Sequence, residues 1–277
     1  MIDSPSNAIV KALQALATSK GRREQGHFLV EGVRLVSDAL RVGCNPTSAL
    51  FNSDMLGKTP EGRQVLAELR ALQRQNAGGL VSEASERAIG AASDTRHPQG
   101  VVASFAPPSW EPPSALETPL VLICDDIQDP GNLGTILRSA EASGATAIFL
   151  TPNCVDLYNP KVVRAGMGAH FRLPAFPEVS WEWIRVNLIE SGVPPEHVFA
   201  TDASAVLSYD RADWKQAAAV IISNEAHGLS NEARQAAGGG LLSIPMQGGT
   251  ESLNAAMAAT IILFEVARQR REANHAS

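Results

Sequence analysis

Ser243-Ile-Pro-Met-Gln-Gly-Gly-Thr-Glu-Ser-Leu-Asn254 joins an apolar strand, read over Leu241–Ile244, to a long helix read from Ser252 to Gln269. That helix offers water almost no polar face, so it must be buried on several sides, within its domain and against a second subunit. The loop between strand and helix is softened by glycine, and Ser252 and Asn254 stand where the helix begins. Two polar side chains at the mouth of a buried helix point to a ligand site. Ordinary N-capping by Thr250 or Ser252 is the alternative.

Upstream, apolar strands are expected at Leu120–Cys124, Ala147–Leu150, Val198–Ala200 and Ala219–Ile222. Helices are expected near Gly131–Ser143, Pro160–Met167, Trp181–Glu190 and Leu229–Ala236. These strands are continuous apolar runs, the pattern of a parallel sheet covered on both faces. Before them, residues 106–119 carry five prolines in fourteen positions, which denies both helix and ladder hydrogen bonds and marks a linker. Residues 1–105 alternate shorter helices and strands, with strands at Phe28–Val30, Ser48–Phe51, Leu80–Val81 and Val101–Phe105. That alternation implies a small α/β sandwich, and residues 120–277 a second, parallel-sheet domain.

The 277 residues suffice for two domains, and the net charge of −6 argues against a wide nucleic-acid grip. The charge is uneven. Residues 1–110 hold 12 Lys+Arg against 10 Asp+Glu, whereas residues 111–277 hold 11 against 19. A polyanion would therefore be met by the first part and by local clusters, of which Lys20-Gly-Arg22-Arg23 is the densest. A solvated loop is the plainer reading of that cluster. No run of about 18 apolar residues exists and the first residues are polar, so a membrane is not expected and the cytoplasm is. Cys44, Cys124 and Cys154 are odd in number and widely spaced, which suggests buried free thiols and neither a disulfide framework nor a metal site.

Two further segments place polar residues just past a strand, where open α/β sheets hold their ligands. Asp125-Asp-Ile-Gln-Asp-Pro-Gly-Asn-Leu-Gly-Thr-Ile-Leu-Arg138 turns through Pro-Gly-Asn into a helix carrying Asn132 and Arg138. Its free amides suit a phosphate and its guanidinium a phosphodiester, although Asn132 would also serve as a cap and Arg138 as a surface residue. Ile221-Ile-Ser-Asn-Glu-Ala-His-Gly-Leu-Ser230 runs a buried strand into Asn224 and Glu225. A carboxylate there needs a partner, which favours function over packing. His227 is given no catalytic part. The motifs GxxxxGK[ST], GxGxxG after a strand, HExxH and GxSxG are absent, which sets aside the common nucleotide, zinc-protease and esterase readings.

In this order and spacing the three segments resemble the three motifs of the SpoU/TrmH family of RNA ribose 2′-O-methyltransferases, in the SPOUT class. The resemblance spans about Leu120–Arg268 and includes Asn159-Pro-Lys-Val-Val-Arg-Ala-Gly-Met-Gly-Ala-His-Phe-Arg-Leu-Pro174. Asn7 through Leu40, with Phe28-Leu-Val-Glu-Gly-Val-Arg34, is similar to the ribosomal-protein-like RNA-binding domain that many members carry in front. The resemblance implies a parallel sheet ending in a trefoil knot, a homodimer with sites completed across the interface, and S-adenosyl-L-methionine as methyl donor. It implies donor contacts near Thr201, Ser223, Asn224, Gly228, Ile244, Met246 and Leu253. Asn132 and Arg138 fall in the first motif, Asn224 and Glu225 in the second, Ser252 and Asn254 in the third, which makes Asn132, Arg138, Glu225, Ser252 and Asn254 the candidate catalytic set. Ser223 stands where many members have glycine, and Gly166 where serine is common.

RNA contacts are expected from Lys20, Arg22 and Arg23 in the first domain and from Lys161, Arg164 and Arg172 in the second. Ribosomal RNA is favoured over transfer RNA by the two-domain arrangement. Two rival readings stand beside this one: a catalytically silent RNA-binding assembly factor, and a doubly wound hydrolase or nucleotide-binding enzyme using Asp125, Asp126 and Asp129 with a divalent metal.

Overall fold

The structure is a computed structural model and describes residues 1–75, 80–114, 117–225, 227–249 and 252–276. It divides into two compact units. One comprises Met1–Ser109 with Tyr158–Phe171, the other Trp110–Leu157 with Arg172–Ser277. The stretch Tyr158–Phe171, expected within the 120–277 domain, thus packs as part of the first unit.

The first unit holds a four-stranded sheet of β1 (Phe28–Glu31), β2 (Ser48–Phe51), β3 (Leu80–Glu83) and β4 (Val101–Phe105), in the order β1-β4-β2-β3. Only β2 and β3 run parallel; β4 is antiparallel to both neighbours. Side chains alternate as the pleat requires. Phe28, Val30, Ala49, Phe51, Val101, Ala103 and Phe105 face one layer, formed by the helices Val33–Arg41 and Pro60–Gln75 with Val163 and Phe171. Leu29, Leu50 and Val102 face the other, against Val10, Leu13, Ala88 and Ile89 of the helices Ala8–Ala15 and Glu86–Ala92. This is the expected α/β sandwich.

Two features of this unit correct the reading of its charges. Lys20, Arg22 and Arg23 lie on a helix, Ser19–Gln25, and not in a loop. Gly21 permits it, since a Cβ there would sit 2.0 Å from the Ala15 carbonyl oxygen. The second feature is a charge cluster built around one buried carboxylate. Arg164 Nη1 binds Glu31 Oε1 at 2.7 Å and Asp94 Oδ2 at 2.9 Å, while Glu31 also accepts from Ser93 Oγ and from the Asp94 amide at 3.1 Å. Glu31 is 7% exposed. A carboxylate that deep requires the pairing it has.

The second unit is a seven-stranded sheet of β5 (Leu120–Asp125), β6 (Ala147–Leu150), β7 (Ala175–Phe176), β8 (Val198–Thr201), β9 (Leu207–Ser208), β10 (Ala218–Ser223) and β11 (Gly240–Ser243), in the order β7-β6-β5-β10-β8-β11-β9. Every pairing is parallel. β5 and β6 are buried throughout, and β10 up to its last residue. Val121, Ile123, Ala219 and Ile221 pack under the helices Trp181–Ser191 and Asn231–Ala236. On the opposite side the helices Pro130–Ser143 and Ala255–Ala276 lie together, joined by the 2.7 Å contact of Ser139 Oγ and Thr260 Oγ1.

The terminal helix begins at Ala255, three residues later than expected, because Asn254 is its cap: Asn254 Oδ1 accepts from the amides of Ala256 at 3.0 Å and Met257 at 3.3 Å. Ser252 is not the cap, and Thr250 lies outside the described residues. Only one face of this helix is covered: Ala259, Ile262, Leu263 and Val266 are fully buried, whereas Met257 and Phe264 are 53% and 46% exposed. Its far end is clamped by Arg270, which donates to the carbonyls of Thr118, Pro119, Trp214 and Gln216.

Candidate active site

Because all strands of the second sheet point the same way, the loops that leave β5, β8, β10 and β11 gather at one edge. The β5 loop carries Asn132 on the first turn of a helix whose start is fixed locally. Pro130 has no amide to leave unpaired, and Asp129 Oδ1 accepts the Asn132 amide at 2.8 Å. The β10 loop carries Asn224 and Glu225. The β11 loop ends at Asn254.

These three segments meet in a chain of side-chain bonds. Asn254 Nδ2 donates to Asn132 Oδ1 at 2.8 Å, and Asn132 Nδ2 donates to Glu225 Oε1 at 3.1 Å. Glu225 Oε1 also takes the amide of Ala255, so one carboxylate oxygen ties the β10 loop to both other loops. Asn224 Nδ2 donates to the Asp126 carbonyl at 3.1 Å, and Gly228 closes its loop back onto the Asn224 carbonyl at 2.9 Å. With φ of +66°, Gly228 takes the left-handed turn that this closure needs.

Beside this chain lies a cavity of about 330 Å³. Thr201, Ser223, Asn224, Gly228, Ile244, Met246 and Leu253, the seven residues singled out for donor contacts, all line it, together with Glu225 and Ser252. Ile222, Leu229 and Leu242 add apolar wall. Asp202 and Arg234 also line it and were missed by the sequence reading, although Asp202 directly follows a strand. They pair at 2.9 Å. Hydrogen bonds from Ser204, then Arg234, hold the Asp202 carboxyl below its usual range.

Arg138 is not brought into this network. It lies on the same helix as Asn132, but six residues at 3.6 per turn rotate it about 120° away from it. Its side chain is exposed, and among the described residues it makes no hydrogen bond or ion pair. Ser139, nearly in line with Asn132, is the residue that meets the terminal helix.

The three carboxylates of the hydrolase reading each have other work. Asp125 Oδ2 accepts the Ser230 amide at 3.0 Å, Asp126 Oδ2 meets His227 Nδ1 at 3.0 Å, and Asp129 is the helix cap. Among the described residues no group of three His, Cys, Asp or Glu side chains is placed to hold a metal ion. Of the residues expected to touch RNA, Arg22 is 7% exposed and donates to the Leu16 carbonyl at 2.8 Å, and Lys20 lies 3.7 Å from Glu24. Arg172 pairs with Glu141 at 2.9 Å, Arg164 is held by Glu31 and Asp94, and Arg23 and Lys161 are exposed.

Comparison with known proteins agrees with this architecture. Residues 119–264 match the SpoU rRNA Methylase family, and residues 7–103 match the MRM3-like substrate binding domain. The chain is 36% identical to human mitochondrial rRNA methyltransferase 3, over 96% of this chain and 74% of that protein. It is 33% identical to the 23S rRNA (uridine(2479)-2′-O)-methyltransferase of Streptomyces viridochromogenes, over 95% of this chain and 91% of that one. The crystal structure of an AdoMet-bound rRNA methyltransferase from Sinorhizobium meliloti superposes with a TM-score of 0.81 at 34% identity, covering 96% of this chain and 97% of that one. A parallel sheet whose loops join Asn132, Glu225 and Asn254 beside a cavity, and a match over more than half its length, make this chain a member of the SpoU rRNA methylase family.

Proposed function

We propose that this chain transfers the methyl group of S-adenosylmethionine to a ribose 2′-hydroxyl of ribosomal RNA. In this reading the cavity is the donor site and the Asn132–Glu225–Asn254 chain faces the acceptor. The observation that carries it is the junction itself: one carboxylate, Glu225, lines the cavity and also anchors the hydrogen-bond chain beside it. The lining suits the donor. Its size falls in the range of small-molecule sites, about 300–1,000 Å³, and it combines apolar walls with a few placed polar groups.

When bound, the donor supplies a methyl group on a positively charged sulfur, open to in-line displacement by oxygen. Leu229, Leu242, Ile244 and Met246 offer apolar surface to a purine, and Glu225 presents the sign of charge that suits a cation. Asn254 and Asn132 fix that carboxylate in place, so the site is organised before substrate arrives. Arg138 binds the phosphate beside the target ribose. A guanidinium keeps its proton at neutral pH and is a poor base, so a phosphate oxygen or water takes the 2′-hydroxyl proton.

The enzyme works as a homodimer in which Arg138 serves the site of the second copy. Support comes from its turn away from Asn132 and from the exposed Met257 and Phe264 of the terminal helix. The segment from β10 to that helix forms the trefoil knot of this class; the strand order, with β10 inserted between β5 and β8, supports it. The first unit binds RNA. We place the protein in the cytoplasm, a reading that its three free thiols favour.

Calorimetry with S-adenosylmethionine tests the donor site. Wild type is expected to bind and Leu253→Trp, which fills the cavity, to lose binding at least tenfold; equal binding by both would place the donor elsewhere.

A further inference from the structure

We infer that the first unit grips RNA phosphates in a trough centred on Arg34, and not through the Lys20–Arg23 turn. A cavity of about 800 Å³ is lined by Val33, Arg34, Arg41, Lys58, Glu61 and Gln99, among others. A second, of about 310 Å³, shares Arg34, Pro98 and Gln99 with it and adds His97 and Arg164, so the two form one trough.

Apart from Glu61, the free charged groups along it are donors. Arg34 and Lys58 are exposed, and among the described residues neither side chain has a hydrogen bond or ion pair. Gln99 gives its carbonyl oxygen to the Val33 amide at 3.0 Å, which leaves its amide nitrogen as a donor without a partner among those residues. Two of the carboxylates are already occupied, Asp38 by Arg41 at 3.1 Å and Glu31 by Arg164 at 2.7 Å. Glu61 is the remaining one. A trough with spare cations and an amide donor fits the acceptor oxygens of a phosphodiester backbone. The Lys20–Arg23 turn offers less. Arg22 is buried and bound to a carbonyl, Lys20 has a carboxylate neighbour, and Gly21 fixes the helix against Ala15.

This inference rests on RNA being the substrate, and its test separates the two. Filter binding of deproteinised large-subunit ribosomal RNA is measured over a range of salt, with methyl incorporation followed in the same preparation. Arg34→Gln with Lys58→Gln is expected to weaken binding about tenfold or more and to lower the salt slope by nearly two, since each phosphate contact contributes about 0.9. Glu61→Gln is expected to tighten binding, a change in the opposite direction that no folding defect produces. Lys20→Gln with Arg23→Gln is expected to lose less than the trough pair. Wild-type affinity in the trough variant, or a larger loss from the Lys20 and Arg23 changes, would overturn the trough while leaving the function standing. A wild-type protein that neither binds nor methylates this RNA would overturn both.

Discussion

Asn254 and Asn132, 122 residues apart in sequence, are joined by a 2.8 Å bond in which the first donates and the second passes the polarity on to Glu225. The middle residue must both accept and donate. Asn132→Asp keeps the shape and removes the donor, leaving two carboxylates face to face, and is expected to lower kcat by about 100-fold, of the order seen when one placed donor is lost. Asn254→Ala should reduce turnover similarly. It also removes the cap of the terminal helix, a further loss of about 1 kcal/mol in thermal unfolding. Single-turnover rates with unchanged circular dichroism would check both.

Arg138 is expected to matter to chemistry and not to folding. Its exposure predicts an unchanged Tm for Arg138→Ala, with kcat/KM for RNA reduced about 100-fold or more and donor affinity retained. Mixing inactive Arg138→Ala with inactive Glu225→Ala subunits should restore part of the activity, because mixed dimers then contain one intact site. No recovery after subunit exchange would contradict the shared site.

Arg164 is expected to behave in the reverse way. Arg164→Ala leaves Glu31 buried without its partner, and a loss of about 2–4 kcal/mol is expected, discounted from the fully buried case because the arginine side chain is 30% exposed. The double variant with Glu31→Gln should recover much of that stability. Chemical denaturation of the three proteins measures it; equal stability of wild type and Arg164→Ala would remove the structural role.

The cysteines give a prediction about reactivity. Burial, then the neighbouring Cys154 and Asp125, pushes the Cys124 thiol up, and burial does the same to Cys154. A raised folded pKa favours the neutral thiol, so the stability it brings is complete below the unfolded value near pH 8.5 and is lost as pH rises through the folded value. At pH 8 an alkylating reagent should spare Cys124 in the native protein and reach all three cysteines in denaturant. Fast native labelling of Cys124, resolved by peptide mapping, would contradict this.

The sheet was legible because buried parallel strands carry no polar residue to confuse them. Leu120–Cys124 and Ala219–Ile222 were each found to within one residue at either end. The two-residue strands Ala175–Phe176 and Leu207–Ser208 were not, since each is held by its neighbours more than by its own pattern. Motif spacing revealed Asn132, Glu225 and Asn254, but no local rule showed that Asn254 caps the helix or that Arg138 turns away from Asn132. The basic residues were least legible. Charge density marks Arg22 and Arg164 as surface, and only tertiary structure shows that both are consumed by carbonyls or carboxylates.

A methyl group on a ribose 2′-oxygen protects the adjacent phosphodiester from alkali, and this offers the most direct test. Ribosomal RNA incubated with the enzyme and methyl-labelled S-adenosylmethionine, then hydrolysed in base, should release the label in alkali-stable dinucleotides, and Asn132→Asp should abolish most of it. Label recovered only in mononucleotides, or none transferred by the wild type, would contradict the account.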